Sequence, residues 1–176
     1  MKILITGGAG FIGSHLIKHM VNRYPNYTII NVDALTYAAD KGRLQQIEAA
    51  ENYHFEEVDI SDPKEVQGVF SSYQVDAVIH LAAESHVDRS IENPLAFAIN
   101  ATAVEAIARV RKEHRCWLIH ISTDYVFDGT LDRPYTPSDT PNPLNVYGAS
   151  KLAGEQAIQA VSGTYSIVRT SWLYSR

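Results

Sequence analysis

A tyrosine and a lysine, Tyr147 and Lys151, lie four residues apart in a segment with helical periodicity, so their side chains would share one helix face. An ammonium beside a phenol favours the phenolate and lowers the tyrosine pKa from about 10 toward neutral pH. Such a tyrosine can give a proton to a carbonyl oxygen or take one from an alcohol. Thr123, at the end of a predicted strand, could hydrogen-bond the same substrate oxygen. Because tyrosine and lysine share this spacing by chance in many helices, the catalytic interpretation depends on the elements around them.

A glycine-rich turn near the start of the chain is the first such element. Gly7, Gly10 and Gly13 follow the apolar run Ile3–Ile5, which is typical of a strand buried on both faces. Gly7 would let the backbone turn sharply, Gly10 would let a pyrophosphate approach the main chain, and Gly13 would let the next helix pack closely. The helix N-terminus would then face the phosphates with free N–H groups and a partial positive charge.

An acidic residue supports a dinucleotide as the ligand of this turn. Asp33 ends a second apolar run, twenty residues after Gly13, where the carboxylate that holds the ribose hydroxyls is expected. Such an acid repels a 2′-phosphate, so NAD is the predicted cofactor, with NADP possible. Lys151 could also reach the nicotinamide ribose. The predicted cofactor-binding residues are Gly7, Gly10, Phe11, Ile12, Gly13, Asp33, Asp59, Ile60, Leu81, Ala82, Ala83, Tyr147 and Lys151.

The adenine end of the cofactor has two candidate contacts that the sequence leaves open. Asp59 could accept the adenine amino group while Ile60 packs on the ring, since both follow the third predicted strand. Asp59 or Ser61 could also cap the helix that starts near Pro63, and both roles are compatible because they use different atoms. Tyr37 could cover an adenine, but packing on its own loop is the more common role of such an aromatic ring.

Strands alternate with helices along the whole chain. The predicted strands are Ile3–Ile5, Ile29–Val32, Tyr53–Val58, Val75–Leu81, Trp117–Ser122 and Tyr165–Thr170, and helices are predicted to begin near Phe11, Lys41, Pro63, Pro94 and Asn145. This order predicts an α/β fold with a doubly wound parallel sheet of Rossmann type, and residues 1–176 as a single dinucleotide-binding domain. Asn100, within an apolar helical stripe, is expected to make a core hydrogen bond. The proline-rich stretch Asp128–Pro143 is predicted to be a surface loop, of a length usual for lids or binding segments.

Composition narrows the possible partners. A net charge of -5 without a cluster of basic residues argues against nucleic acid or an anionic membrane surface, and no apolar run approaches the roughly 20 residues that span a bilayer. Cys116 is the only cysteine and lies in an apolar run, so a buried, inert thiol and a reducing cytoplasm are expected. No metal site is predicted.

Taken together, these motifs resemble the extended short-chain dehydrogenase/reductases that modify nucleotide sugars. The residues that carry the resemblance are the three glycines, Asp33, Asp59-Ile60, Leu81-Ala82-Ala83, Ser122-Thr123-Asp124 and Tyr147-x-x-x-Lys151. The resemblance covers the whole chain. It implies NAD or NADP on the glycine turn, hydride transfer at a sugar carbon of a dTDP-hexose type of substrate, and catalysis by Thr123, Tyr147 and Lys151; a homodimer is possible.

The two halves of the chain resemble different members of that family. Up to about residue 95, including Val32–Ala38 and Ala82–Ser90, the sequence is similar to dTDP-glucose 4,6-dehydratases. From about Ile99 onward, including Ile119–Phe127 and Pro143–Glu155, it is similar to dTDP-4-dehydrorhamnose reductases. A natural hybrid, an engineered chimera and a divergent family member would each give this pattern.

One departure from the dehydratase pattern bears on the reaction. Dehydratases use an Asp-Glu pair after the threonine, and here Tyr125 follows Asp124. Because a phenol cannot replace the carboxylate that takes the sugar C5 proton, 4-keto reduction is the leading prediction and dehydration ranks last. A cofactor-binding module without turnover ranks second, because both resembled groups continue beyond Arg176 into a substrate domain.

Overall fold

The computed structural model describes residues 1–84 and 95–171. Its six strands form one sheet in the order β3-β2-β1-β4-β5-β6, and each neighbouring pair is parallel. The strands are β1 (Lys2–Thr6), β2 (Thr28–Asp33), β3 (Tyr53–Glu57), β4 (Ala77–His80), β5 (Trp117–Thr123) and β6 (Tyr165–Thr170). This order confirms the predicted doubly wound Rossmann-type sheet, whose strand order reverses between β1 and β4.

Helices cover both faces of this sheet. They are α1 (Phe11–Arg23), α2 (Pro63–Tyr73), α3 (Ala103–Glu113) and α4 (Val146–Val161). One apolar cluster joins α2, α3 and α4 to the sheet, with Phe70, Ile107 and Ile158 almost completely buried. A second cluster joins α1 and a 3₁₀ helix, Lys41–Ile47, to the opposite face. The apolar strands are therefore buried on both sides, as their continuous runs of branched residues predicted.

The start of α1 differs from the predicted apolar face. Ile17 is fully buried, but Phe11 and Ile12 are 47% and 42% exposed although they share the helical spacing of the buried residues. Both lie in the first turn of α1, next to the glycine turn, and line a cleft there.

The helix after β3 is capped by neither of the two predicted residues. Asp62 is the N-cap of α2, and its side chain accepts a hydrogen bond from the Lys64 N–H at 2.8 Å. Proline is favoured at the first helical position, so Pro63 there makes the preceding residue the cap. The prediction that Asp59 or Ser61 caps this helix is therefore wrong; the Asp59 carboxylate instead accepts from the Ser61 N–H.

The long helix predicted from Pro94 to His114 is interrupted. Pro94 lies outside the described residues; a helical turn at Leu95–Phe97 leads into a π-helical segment, Ala98–Thr102, before α3 begins. Asn100 lies in the π-helical segment and is fully buried. Such segments accommodate one extra residue and are often found at functional sites.

Several predicted features remain outside this description or lack regular structure. Ser85–Ser90 of the dehydratase-like motif and residues 172–176 lie outside the described residues. Residues 128–143 form neither helix nor strand, in agreement with the predicted loop. Among residues 1–84 and 95–171, no helix combines the length and apolar character needed to cross a bilayer.

Candidate active site

A cleft of about 790 Å³ opens at the carboxyl edge of the sheet. Every residue predicted to bind cofactor or to act in catalysis lines it: Gly7, Gly10, Phe11, Ile12, Gly13, Asp33, Asp59, Ile60, Leu81, Ala82, Ala83, Thr123, Tyr147 and Lys151. The cleft lies at the β1–β4 switch point, the usual ligand position in open α/β sheets. Its volume is within the range typical of small-molecule and cofactor sites.

The glycine turn is shaped by close backbone contacts. Gly7 has a φ of +72°, and a Cβ there would lie 2.6 Å from the Ala82 N atom at the end of β4. A Cβ at Gly13 would lie 2.2 Å from the Gly7 carbonyl oxygen, so α1 packs directly on the turn. At Gly10 the nearest atom to such a Cβ is the same oxygen, at 3.2 Å. The turn is thus compact, with its open side at Gly10, and fits a pyrophosphate at the helix N-terminus.

Asp33 is fixed at the carboxyl end of β2. Its carboxylate accepts hydrogen bonds from the Ala9 and Leu35 N–H groups, both at 2.9 Å. A carboxylate has about four acceptor positions, so the remaining lone pairs can accept from ribose hydroxyls. Asp33 therefore holds the turn geometry and keeps acceptor positions for the predicted ribose contact.

Arg43 lines the same end of the cleft and was not predicted from the sequence. It lies in the 3₁₀ helix, where its Nε is 3.7 Å from the Asp40 carboxylate and its Nη1 donates to the Ala9 carbonyl oxygen at 3.4 Å. An arginine near the ribose can accommodate the 2′-phosphate of NADP. The sequence feature that could have identified Arg43 as a cofactor-site residue is a basic residue ten positions after Asp33.

The adenine end contains Asp59 and Ile60, whereas Tyr37 makes a different contact. Asp59 and Ile60 both line the cleft, and Ile60 is 7% exposed. The Tyr37 ring is 56% exposed, and its hydroxyl donates to the Glu84 carboxylate at 2.7 Å. Tyr37 thus connects the segment after β2 to the end of β4.

Lys151 is buried beneath the carboxyl end of β5. It is 2% exposed, and its Nζ donates to the Ile121 carbonyl oxygen at 2.7 Å. Burial lowers the pKa of Lys151 from 10.5 to about 8, while the negative charge of Glu155 opposes this shift. A lysine in this state can exchange between ammonium and amine near neutral pH.

Two buried histidines lie on the strands beneath Lys151. His80 on β4 and His120 on β5 are paired in register, and their rings stack with centroids 5.2 Å apart. Burial and the Lys151 charge lower the pKa of His80 to about 3 and that of His120 well below its usual value. Neutral rings therefore face Lys151 at physiological pH. The Thr6 hydroxyl is 2.6 Å from His80 Nδ1.

The pKa of Tyr147 is raised, whereas the sequence predicted that it would be lowered. Burial raises the pKa of the Tyr147 phenol, and the Asp124 carboxylate raises it further, while a hydrogen bond with Thr123 lowers it. Desolvation disfavours the charged phenolate, and Lys151 directs its ammonium to the β5 backbone. The predicted lowering of the Tyr147 pKa by Lys151 is therefore wrong for this arrangement.

Tyr125 occupies the position that differs from the dehydratase pattern. Its ring contacts the Tyr147 ring edge-on, with centroids 5.9 Å apart, and it lines the cleft. The helix approaches it closely, because a Cβ at Gly148 would lie 2.1 Å from the Tyr125 carbonyl oxygen. A phenol therefore lies next to Tyr147 at the position where the dehydratase pattern has a carboxylate.

Asn100 connects the segment after β4 to helix α4, next to the predicted catalytic residues. Its side-chain oxygen accepts from the Glu84 N–H at 3.0 Å, and its nitrogen donates to the Glu84 carbonyl and to the Ser150 hydroxyl. Ser150 in turn donates to the Tyr147 carbonyl oxygen at 2.8 Å. The expected core hydrogen bond of Asn100 is confirmed, and it reaches the residues flanking the catalytic pair.

A doubly wound sheet with a glycine turn after β1 defines the class of Rossmann-type nucleotide-binding folds. Comparison with known proteins agrees with this class. A family model described as the RmlD substrate binding domain matches residues 1–176. A dTDP-glucose 4,6-dehydratase from Haemophilus influenzae is 41% identical over 180 residues, which cover 95% of this chain and 53% of that protein.

Two solved structures are similar over almost the whole chain. DesIV, a dTDP-glucose 4,6-dehydratase from Streptomyces venezuelae with NAD bound, has a TM-score of 0.89 and 31% identity, over 96% of this chain and 55% of its own. A dTDP-4-dehydrorhamnose reductase from Bacillus anthracis in complex with NADP has a TM-score of 0.81 and 34% identity, over 98% and 54%.

The chain therefore belongs to the RmlD substrate binding domain family, within the extended short-chain dehydrogenase/reductases that modify nucleotide sugars. It spans about half the length of the relatives it matches. The match to the Haemophilus dehydratase covers 95% of the chain and so extends through both halves, although the motifs of the second half resemble those of reductases.

Proposed function

We propose that residues 1–176 are a dinucleotide-binding domain that carries the catalytic group of an NAD(H)-dependent oxidoreductase, and that its reaction is the reduction of a 4-keto group on a dTDP-linked sugar. The observation that carries this proposal is the placement of Thr123, Tyr147 and Lys151 in one cleft with the glycine turn. The names of the relatives supply the substrate class, since they are enzymes of dTDP-glucose and dTDP-4-dehydrorhamnose.

The cofactor would lie across the carboxyl edge of the sheet. The first N–H groups of α1, beyond Gly10, would bind the pyrophosphate, and Asp33 would accept from the adenosine ribose hydroxyls. Asp59 and Ile60 would contact the adenine. When bound in its reduced form, the nicotinamide supplies the hydride.

The catalytic residues would donate a proton to the carbonyl oxygen and stabilise the negative charge that develops on it. Tyr147 is protonated at neutral pH because burial raises its pKa, and this protonation state suits a proton donor to the carbonyl oxygen. Thr123 would hydrogen-bond the same oxygen. Lys151, whose Nζ donates to the β5 backbone, would contact the nicotinamide ribose and so hold the cofactor beside Tyr147 and Thr123.

Cofactor choice depends on Asp33 and Arg43, which line the same end of the cleft. Asp33 would repel a 2′-phosphate, which supports NADH over NADPH. The solved relatives include one with NAD and one with NADP, so both cofactors occur among similar structures.

The proposal is tested by mixing the chain with a dTDP-4-keto-6-deoxyhexose and NADH and following the loss of NADH absorbance. Turnover that disappears in Tyr147→Phe would support reduction. Binding of NADH, detected by fluorescence, without any turnover would instead support a cofactor-binding module.

Dehydration of dTDP-glucose is the second candidate, because the Haemophilus relative is named as a dTDP-glucose 4,6-dehydratase at 41% identity. Tyr125 disfavours it, since the position beside Asp124 lacks the carboxylate that would remove the C5 proton. Formation of a 4-keto product from dTDP-glucose with catalytic NAD would overturn reduction as the main reaction.

A further inference from the structure

A buried cluster of three side chains joins α4 to the two strands beside it. Glu155, one helical turn after Lys151, is 1% exposed. Its carboxylate accepts from the Ser122 hydroxyl on β5 at 2.5 Å and from Arg169 on β6 through Nη2 at 2.6 Å and Nε at 3.0 Å. Ser122 and Arg169 are register partners in the sheet, so one carboxylate spans both strands.

These contacts fix α4 on β5 at two successive positions. Lys151 donates to the Ile121 carbonyl oxygen, and Glu155 accepts from the next residue, Ser122. The residue after Ser122 is Thr123, whose hydroxyl belongs to the catalytic group proposed above. A shift of α4 along β5 would therefore break both bonds and change the separation of Thr123 and Tyr147.

The same cluster reaches the long loop after β5. The Arg169 guanidinium lies over the Phe127 ring, 4.9 Å from its centroid, and Phe127 stacks on Tyr135 at 4.2 Å. Tyr135 donates to the Asp128 carboxylate at 2.7 Å. Arg169 is thus held between a buried carboxylate and an aromatic pair, which leaves it little freedom to release Glu155.

Glu155 is also the buried negative charge that accompanies Lys151. Within residues 1–84 and 95–171, the Lys151 charge acts on His80 from β4 and His120 from β5; Tyr147 lies on its own helix, and Asp124 acts on Tyr147 from the turn after β5. The two histidines are neutral near pH 7. A buried ammonium needs a nearby opposite charge to remain charged, and Glu155 supplies one.

We propose that Glu155, held between Ser122 and Arg169, is a positioning residue for Lys151 that fixes the register of α4 on β5 and supplies the negative charge for the Lys151 ammonium. This inference rests on the proposed function for its catalytic consequence, but its physical content can be measured without turnover.

The direct test is an NMR titration of lysine side chains labelled with carbon-13, with the Lys151 signal assigned by its loss in Lys151→Arg. Glu155→Gln keeps the shape and an acceptor for Ser122 but removes the charge. We expect the Lys151 titration midpoint to fall by about one pH unit in this variant. Glu105→Gln is the matched control, because it breaks a glutamate–arginine pair with Arg109 at the same 2.6 Å on the exposed face of α3; its Lys151 midpoint should not move.

A double variant separates positioning of Lys151 from simple neutralisation of Arg169. Glu155→Gln leaves the Arg169 charge without its partner and should lower the free energy of unfolding. Adding Arg169→Gln should restore that stability while the Lys151 midpoint stays low. Recovery of both quantities, or a midpoint that Glu155→Gln leaves unchanged, would overturn the inference.

A kinetic measurement relates this inference to the proposed reaction. In the NADH assay, Glu155→Gln should lower kcat about tenfold and change the KM for NADH much less, because the residues predicted to bind the pyrophosphate and the adenosine do not lie on α4. A KM effect equal to the kcat effect would contradict the positioning role. If wild type shows no turnover while the Lys151 midpoint still shifts, the proposed function fails and the role of Glu155 stands.

Discussion

The two ends of the cleft are built in different ways. The glycine-turn end is made of backbone, with Gly7 and Gly13 packed against main-chain atoms and Asp33 accepting from two N–H groups. The other end, which holds the predicted catalytic residues and is the predicted catalytic end, is made of buried polar side chains from separate elements. Lys151, for example, donates a hydrogen bond to a β5 carbonyl oxygen, and Asn100 hydrogen-bonds the backbone just after β4. Local sequence therefore specifies the first end, whereas tertiary packing specifies the second.

This difference has an energetic counterpart. A glycine turn tolerates no added atoms, so its substitutions should act through strain and reduce folding and binding together. The predicted catalytic end contains buried titratable side chains, and the pKa of each depends on the charge of its neighbours. Substitutions there should therefore act by changing which side chains are protonated. The predictions below test this division, from the largest expected effect to the smallest.

The first prediction concerns the phenol of Tyr147. Tyr147→Phe removes the proposed proton donor while keeping the ring that contacts Tyr125, so kcat should fall by roughly 100-fold or more and NADH affinity should stay the same. Stopped-flow absorbance and fluorescence titration measure the two quantities. Retention of most of the activity would show that another group protonates the product.

The second prediction concerns the buried charge of Lys151. Its pKa is lowered from 10.5 to about 8 in the folded protein, so the unfolded chain binds more protons between these values and stability should rise with pH across this window. The full shift corresponds to about 3 kcal/mol. Because tyrosines and Cys116 also titrate in alkali, the quantity to measure is the difference in unfolding free energy from Lys151→Met. A difference independent of pH from 8 to 10 would show that Lys151 is not desolvated.

The third prediction concerns strain at the glycine turn. Gly13→Ala would place a Cβ 2.2 Å from the Gly7 carbonyl oxygen, so α1 must shift and the free energy of unfolding should fall by about 2 kcal/mol. Gly68→Ala on α2 is the control, since no atom lies within 4 Å of its added Cβ; it should raise stability by about 0.5–1 kcal/mol. Urea unfolding measures the change in the free energy of unfolding for each variant. Equal changes for the two substitutions would show that close packing does not constrain Gly13.

The smallest expected effect is on cofactor choice. Asp33→Asn keeps an acceptor oxygen for only one of the Ala9 and Leu35 N–H groups, which bond to different oxygens of the carboxylate, and it removes the charge that repels a 2′-phosphate. We expect the NADH-to-NADPH affinity ratio to fall about tenfold, with Arg43 now able to contact the phosphate. Calorimetric titration with both cofactors gives the ratio, and the double variant Asp33→Asn/Arg43→Ala should lose the gained NADPH affinity.

Much of the fold could be predicted from the sequence, because the apolar runs, the glycine turn and Asp33 are each recognised within a short stretch of residues. All fourteen predicted site residues line the cleft. The pKa direction of Tyr147 was not accessible, because helical spacing places Lys151 on the same face but cannot show that its ammonium turns to the Ile121 carbonyl. Arg43 lacked a periodic signal for the same reason: it enters the cleft only through the packing of its 3₁₀ helix.

The π-helical segment Ala98–Thr102 has a consequence for how this chain is compared with others. Because a π turn accommodates one residue more than a regular turn, the helical phase before and after it differs by about 100°. A deletion of one residue there would make the helix regular and rotate Asn100 away from Glu84, although Thr123, Tyr147 and Lys151 would be unchanged. In related chains, the length of this segment therefore indicates as much as the identity of its residues whether the Asn100–Glu84 hydrogen bonds can form.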